Sequence, residues 1–215
     1  MTVVAIVLAG GGSTRFGTDK LAAELDGRPL LHHALERVAE IADRIVLVLA
    51  PEATVPGLPP AVQGRIEFAW DEALGRGPLA GVAAGLDRSE ADADGVAIVV
   101  GGDMPRLVPA VLRLLAERVS RGGGPVAAVL EGDPVPTLPL ALRPSAGLPA
   151  ARALLAADRR SLRALLDELE AETVPAGEWR LLDPTGATLA DVDTPEDLAK
   201  DAKTPVPGRK DGRSA

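Results

Sequence analysis

The feature that most constrains this chain is an alternation of strand-length apolar runs with stretches of helical spacing. Val3 to Ala9 (VVAIVLA), Arg44 to Ala50 (RIVLVLA), Arg65 to Trp70 (RIEFAW) and Gly95 to Val100 (GVAIVV) are nearly continuous apolar runs. Runs that lack a polar alternate are what strands covered on both faces require. Between them, Leu31, Leu35, Val38 and Ala42 share one face of a helix over Pro29 to Ala42, and Val108, Val111, Leu112, Leu115 and Val119 repeat the pattern farther on. Strand, helix, strand, helix is the order of a doubly wound parallel sheet, since parallel neighbours need a crossover and helices cover the sheet as they cross. Ligands of such sheets bind beyond the carboxyl ends of the strands.

The second half is less regular. Pro125 to Glu131 and Thr137 to Arg143 read as strands, and the intervening EGDPVPT is too short for a crossover helix, so the pair is expected as an antiparallel hairpin. Helical patterns follow from Leu148 to Ala157 and from Ser161 to Leu169. Residues 204–215, TPVPGRKDGRSA, lack apolar periodicity and are expected to be a loose tail after a domain of residues 1–203. The expected fold is therefore a single-domain α/β protein. Its sheet is mostly parallel and Rossmann-like, flanked by helices, with a small antiparallel addition in the second half.

Composition limits what such a fold can do. With 215 residues, 47% of them hydrophobic, one domain can bury roughly 70% of its unfolded surface. Aromatics are only 2%, so the core must be aliphatic. There is no cysteine, which excludes disulfides, thiolate zinc sites and cysteine nucleophiles and points to the cytoplasm. A net charge of −8 argues against binding nucleic acid, whose affinity comes from clustered Lys and Arg. The apolar run from Val3 has no basic stretch before it and falls far short of the ~20 residues of a membrane span, so no membrane partner is expected.

The loop after the first run, LAGGGSTRFGTDK (residues 8–20), fits neither common phosphate motif. Gly12 and Gly17 are followed by Thr18 and Asp19 before Lys20, which breaks the P-loop spacing, and Arg15 occupies the third glycine position of a dinucleotide fingerprint begun at Gly10 and Gly12. Successive glycines still expose backbone amides that form an anion nest, to which Arg15 and Lys20 add charge. A tight turn with solvated charges is the alternative. The chain has 19 Arg and four Lys, and Lys20 is the only lysine before Lys200, so a lone lysine here favours a point charge on phosphate. In VVGGDMP (99–105), Asp103 follows an apolar strand and so stands at the carboxyl edge, beside the glycine loop if the first and fourth strands are neighbours. It reads either as the start of a turn before Pro105 or as a ligand for Mg²⁺, and a neighbouring phosphate nest favours the metal.

LAGGGSTRFGTDK, WDEALGRGPLAGV, VVGGDMP, DPVPTLPLALR and DVDTPEDL, in this order, resemble the molybdenum cofactor nucleotidyltransferases, most closely the guanylyltransferases; the match runs to about residue 199. The resemblance implies Mg²⁺-dependent transfer of GMP from GTP to molybdopterin-bound molybdenum, with release of pyrophosphate. It implies nucleotide contacts at Leu8, Ala9 and Gly10, in one loop with Gly11, Gly12, Ser13 and Arg15. Lys20 would then meet the phosphates, Asp71 the nucleoside, Gly77, Pro78 and Leu79 the nucleobase, and Asp103 both nucleotide and Mg²⁺. The family often has an Asn at the end of the second strand, where this chain has VLVLA. Expected partners are GTP and molybdopterin or molybdenum cofactor, with the chain a monomer or weak homo-oligomer. In the expected mechanism Arg15, Lys20 and Asp103 stabilise charge around an in-line attack. Alternatives are a cytidylyltransferase of the same pathway using CTP, guanylyl transfer to 2-phospholactate, and a non-catalytic nucleotide-binding module; GPLAG tilts the reading toward guanine.

Four further features remain, three of them with two readings. Asp193 is a second metal ligand or part of a helix start, for which Thr194, Pro195 and Asp197 supply an N-cap, a first-turn proline and an acid. His32 and His33, with His33 opposite the apolar stripe, are expected on the surface. Arg159, Arg160 and Arg163 read as solvated helix charges or as contacts for an anionic pterin phosphate. GPLAG reads either as the nucleobase loop or as a start that lets a helix begin close to the sheet.

Overall fold

Every residue from Val3 to Val7 is buried, so β1 (Val3–Ala9) must be flanked on both edges and covered on both faces. The computed structural model describes residues 2–10, 20–71, 77–89, 95–192, 194 and 197, and it puts β1 in that position. After β1 come a two-strand ribbon, β2 (Glu24–Leu25) and β3 (Arg28–Pro29), then α1 (Leu30–Ala39), β4 (Arg44–Leu49), β5 (Ile66–Trp70), α2 (Pro78–Arg88), β6 (Val96–Gly101) and α3 (Pro109–Ser120). The second half contributes β7 (Ala127–Leu130), β8 (Leu140–Leu142), α4 (Pro144–Ala156), α5 (Leu162–Glu168), β9 (Glu172–Val174) and α6 (Ala176–Trp179). Seven strands form one sheet in the order β5-β4-β1-β6-β8-β7-β9, parallel except for β8, which runs against β6 and β7. The α/β fold, its mostly parallel sheet and its antiparallel addition in the second half are as the apolar runs imply.

Successive strand residues point to opposite faces, and β1 shows the consequence. Val3, Ala5 and Val7 pack into one core with Leu31, Leu35 and Val38 of α1 and Leu112, Leu115 and Val119 of α3. Val4 and Ile6 pack into the other with Leu79, Val82 and Leu86 of α2, Leu148 of α4 and Leu165 of α5. Helix α2 lies unusually near the sheet because its inward face carries glycines. A Cβ on Gly85 would run into the Ile6 side chain, and one on Gly81 would sit 3.3 Å from Leu8 Cδ2. That agrees with the structural reading of GPLAG. No helix among the described residues is long and apolar enough to cross a membrane.

The register decides where a site can form. Leu8 pairs with Gly101, Ala9 with Leu49 and Leu49 with Trp70, so β5, β4, β1 and β6 end level with one another. Their continuations, Asp71, Ala50, Gly10 and Gly102, emerge side by side along one edge. The tail at residues 204–215 lies outside the described residues.

One expectation is corrected here. His33 is not a surface residue: it is 9% exposed, and its Nε2 lies 2.8 Å from the Leu25 carbonyl. The β2–β3 ribbon covers the helix face that the apolar stripe leaves polar. His32 behaves as expected, half-buried at the surface with Nε2 2.8 Å from the Gly57 carbonyl.

Candidate active site

Backbone hydrogen bonds continue the parallel ladder one residue past the strands and thereby fix the edge. The Asp71 amide donates to Leu49 O at 3.0 Å, and the Gly102 amide donates to Leu8 O at 2.9 Å. The second bond draws the corner after β6 against the end of β1. The corner is tight for anything but glycine, since a Cβ on Gly102 would lie 3.1 Å from Leu31 Cδ1 and 3.3 Å from Leu8 O. The Asp103 carboxylate folds back over Gly101, where a Cβ would collide with its Oδ1. Met104 closes the turn from within, buried, its Sδ 3.3 Å from the Gly101 amide. Asp103 itself is half-buried.

The remaining described residues fall along the same edge. Leu8 and Ala9 are half-buried and Gly10 is exposed; a Cβ on Gly10 would press to 3.1 Å from the Ala50 amide nitrogen, so the chain leaves β1 tight against the exit of β4. Asp71 is half-buried at the end of β5. Gly77 precedes α2 with φ +76°, a backbone that L side chains rarely adopt, and its missing Cβ leaves room for the Arg160 carbonyl, 2.9 Å from where that atom would be. Pro78 starts the helix, where its lack of an amide proton does no harm. The Leu79 side chain is fully buried in the core, so a ligand at this loop meets its backbone and not its side chain. The structure thus brings Leu8, Ala9, Gly10, Asp71, Gly77, Pro78 and Asp103 to one edge. Gly11, Gly12, Ser13, Arg15 and Asp193 lie outside the described residues, as does the side chain of Lys20, whose backbone opens the 3-10 turn Lys20–Ala22.

The segment toward Asp193 approaches the same corner. The Val192 amide donates to Asp103 O at 3.0 Å. Beyond it, Thr194 and Asp197 bond reciprocally: the Asp197 amide donates to Thr194 Oγ1 at 3.2 Å and the Thr194 amide donates to Asp197 Oδ2 at 3.1 Å. This is a capping box in which Asp takes the place of Glu, as the helix-start reading expects. Among the described residues no three His, Asp or Glu side chains gather to hold a metal. The three arginines of the α4–α5 region are exposed and engaged. Arg160 pairs with Asp158 at 2.6 Å, Arg159 lies 4.0 Å from Glu168, and Arg163 bonds the Val135 carbonyl.

The helical spacing missed His33, and with it the cluster of Leu25, Leu30 and Val192 that joins the ribbon to the Asp103 corner. The signal available was Asp26-Gly27, a dipeptide that favours two-residue hairpins; both residues have positive φ, 52° and 73°.

Residues 5–174 match the model of the MobA-like NTP transferase domain. A probable molybdenum cofactor guanylyltransferase from Chloroflexus aggregans is 32% identical over 203 residues, covering 92% of both chains, and one from Natronomonas pharaonis is 34% identical, covering 91% of this chain and 94% of its own. The crystal structure of molybdopterin-guanine dinucleotide biosynthesis protein A from Archaeoglobus fulgidus superposes with a TM-score of 0.75 at 25% identity, over 93% of this chain and 96% of that one. Family model, full-length relatives and superposed fold agree, and the chain belongs to the MobA-like NTP transferases, a family of nucleotidyltransferases.

Proposed function

We propose that this chain transfers GMP from GTP to the molybdopterin-bound molybdenum cofactor and releases pyrophosphate. The observation that carries the reading is the corner after β6, where the bond from Gly102 to Leu8 O sets the Asp103 carboxylate beside the exit of β1 and the start of the glycine loop. The names of the relatives support guanine as the base and molybdopterin as the acceptor. From the end of β5 to the end of β6 is three strand spacings, about 14 Å, the scale of one extended nucleotide. Asp71 is assigned the nucleoside end of that span and Asp103 the phosphate end.

The reaction asks for placement and charge stabilisation more than for covalent chemistry. The terminal phosphate of molybdopterin is already ionised at neutral pH, so no general base is needed. It attacks the α-phosphorus of GTP in line, a new P–O bond forms, and the bond to the β-phosphate breaks with its electrons on pyrophosphate. Leu8, Ala9, Gly10, Gly11, Gly12 and Ser13 offer backbone to the nucleotide. Arg15 and Lys20 neutralise the charge that builds on the leaving group. Asp103, with Asp193, would hold Mg²⁺, which would supply further electrostatic stabilisation at the phosphates. The donor chemistry fits: a half-buried hard oxygen beside a phosphate loop suits an ion that takes one or two protein carboxylates and completes its shell with phosphate and water.

A melting panel of GTP, CTP, UTP and ATP with Mg²⁺ tests the reading. At 100 times its dissociation constant a ligand adds about 2.7 kcal/mol, which is roughly 5 to 11 °C in Tm for a domain of this size. GTP is expected to give such a shift and CTP a much smaller one. The reverse order overturns the guanine assignment.

A further inference from the structure

Segments that the proposed reaction uses meet on one small apolar cluster. Leu25, Leu30 and Val192 are buried against one another, apart from the two main cores. Leu25 follows the Lys20–Ala22 turn by three residues, and the Ala23 carbonyl between them accepts from the Leu30 amide at 2.8 Å. Val192 directly precedes Asp193 and donates to Asp103 O. Leu21 stands at the same corner, with its Cδ2 3.4 Å from where a Cβ on Gly102 would be. The chain just after Lys20, the chain just before Asp193 and the Asp103 turn are therefore mechanically joined.

What secures Leu25 is His33. With Nε2 2.8 Å from Leu25 O, a carbonyl that can only accept, the ring must carry its proton on Nε2. In the neutral ring Nδ1 is then a lone pair, and Arg28 Nη2, a donor, lies 3.4 Å from it. Arg28 is in turn held by Glu36, with Nη1 2.8 and 2.7 Å from the two carboxylate oxygens. We propose that His33, as this neutral tautomer, is a positioning residue for nucleotidyl transfer: through Leu25 and Val192 it sets the Asp103 turn and the chain on either side of it, just after Lys20 and just before Asp193, that the reaction uses. The inference rests on the function proposed above.

A protonated ring would aim a second N–H at the Arg28 guanidinium. Burial holds the His33 pKa below its ordinary value and Arg28 pushes the same way, against the Leu25 carbonyl, Glu36 and Asp26. Because the folded pKa is the lower one, His33 contributes fully above about pH 6.5, and the contribution is lost as pH falls from there through the folded value.

The test compares wild type with His33→Gln, His33→Leu and Leu25→Ala. Two measurements are made: GMP transfer across roughly pH 5 to 8, and backbone hydrogen exchange in peptides covering residues 20–25 and 188–192. Glutamine can return an amide donor toward Leu25 O without titrating. His33→Leu and Leu25→Ala are expected to lower kcat by about ten- to a hundredfold, as misplaced catalytic groups do, and to speed exchange in both peptides. His33→Gln is expected to keep most of the rate and to lose the acid limb of the wild-type profile. Wild-type kcat and exchange in His33→Leu would overturn the proposal, and so would a loss in His33→Gln as large as that in His33→Leu. If His33→Leu does not fold, Leu25→Ala decides in its place. If wild type transfers no GMP, the proposed function fails, but exchange still reads the coupling: acceleration confined to residues 20–25 refutes it.

Discussion

Two stretches of one sheet edge have opposite fates. Where β5, β4, β1 and β6 end, the chain continues into open positions: Gly10 and Pro78 are exposed, Asp71 and Asp103 half-buried. Where β7 and β9 end, the edge is shut. Glu131 follows β7, and its amide donates to Val174 O at 2.9 Å while its carboxylate accepts from the Ala176 amide at 2.5 Å. Its carbonyl accepts from Trp179 Nε1 at 3.2 Å, and that indole is fully buried beneath the Arg180 guanidinium, 4.7 Å above the ring. Both stretches end on an acid. One acid closes a helix against the sheet, and the other stands half-buried at a glycine-cleared corner. The carboxyl edge is a property of the fold; whether it becomes a site depends on what each continuation does next.

The comparison can be broken most violently at the closed end. Trp179→Ala removes a fully buried indole and strands the Glu131 carbonyl, so a loss of about 3–5 kcal/mol is expected in denaturant unfolding. The folded fraction should keep its specific activity; a variant of normal stability but reduced turnover would mean that the closed end takes part in the chemistry. At the open end the effects should invert. Asp103→Asn keeps the shape and removes a charge, so Tm should move by no more than a degree or two while turnover falls at least about a hundredfold. Unfolding with full specific activity in the survivors would make Asp103 a turn residue only.

The smallest effect sharpens the comparison through pH. Asp183, buried in the loop after α6, is pushed up by desolvation, but bonds from Thr188, Thr185 and the Ala187 amide outweigh that and hold its pKa below the ordinary value. A lowered carboxyl contributes stability that is complete above about pH 4 and lost as pH falls through the folded value. Asp183→Asn should cost about 1.5–3 kcal/mol at neutral pH and flatten the acid side of a plot of unfolding midpoint against pH. An unchanged acid slope would place the acid sensitivity elsewhere.

How much of this was legible in the sequence follows from the same physics. The strands β1, β4 and β6 announced themselves because burial on both faces forces unbroken apolar runs. The edge strand β9 and the separate β2–β3 ribbon have two or three residues each and leave no period to detect. Helix α4 begins four residues earlier than its apolar spacing implies, since Pro144 and Pro149 look like breakers yet lie within it. Gly81 and Gly85 likewise disguise α2, although close approach to Ile6 and Leu8 is their reason. At the edge, the place of Asp103 was legible because a carboxylate just past a buried strand stands at the carboxyl end of the sheet, whereas Asp71, after a strand only partly buried, was reached through the resemblance alone. His33 was not legible: a helical wheel equates distance from the apolar stripe with solvent, and cannot foresee a ribbon folding back over the polar face.

The central position of β1 has a consequence for the order of assembly. It precedes both of its partners in the chain, pairing with Arg44 onward on one side and with Val96 onward on the other. At 5–20 residues per second, roughly 5 to 20 s separate its translation from that of its second partner. During that interval one edge of VVAIVLA has only β4 to answer it, and its apolar faces wait for helices not yet made. Loop closure over such separations makes parallel sheets slow to form. The strand that anchors the finished site is therefore the one most dependent on protection while the chain is incomplete.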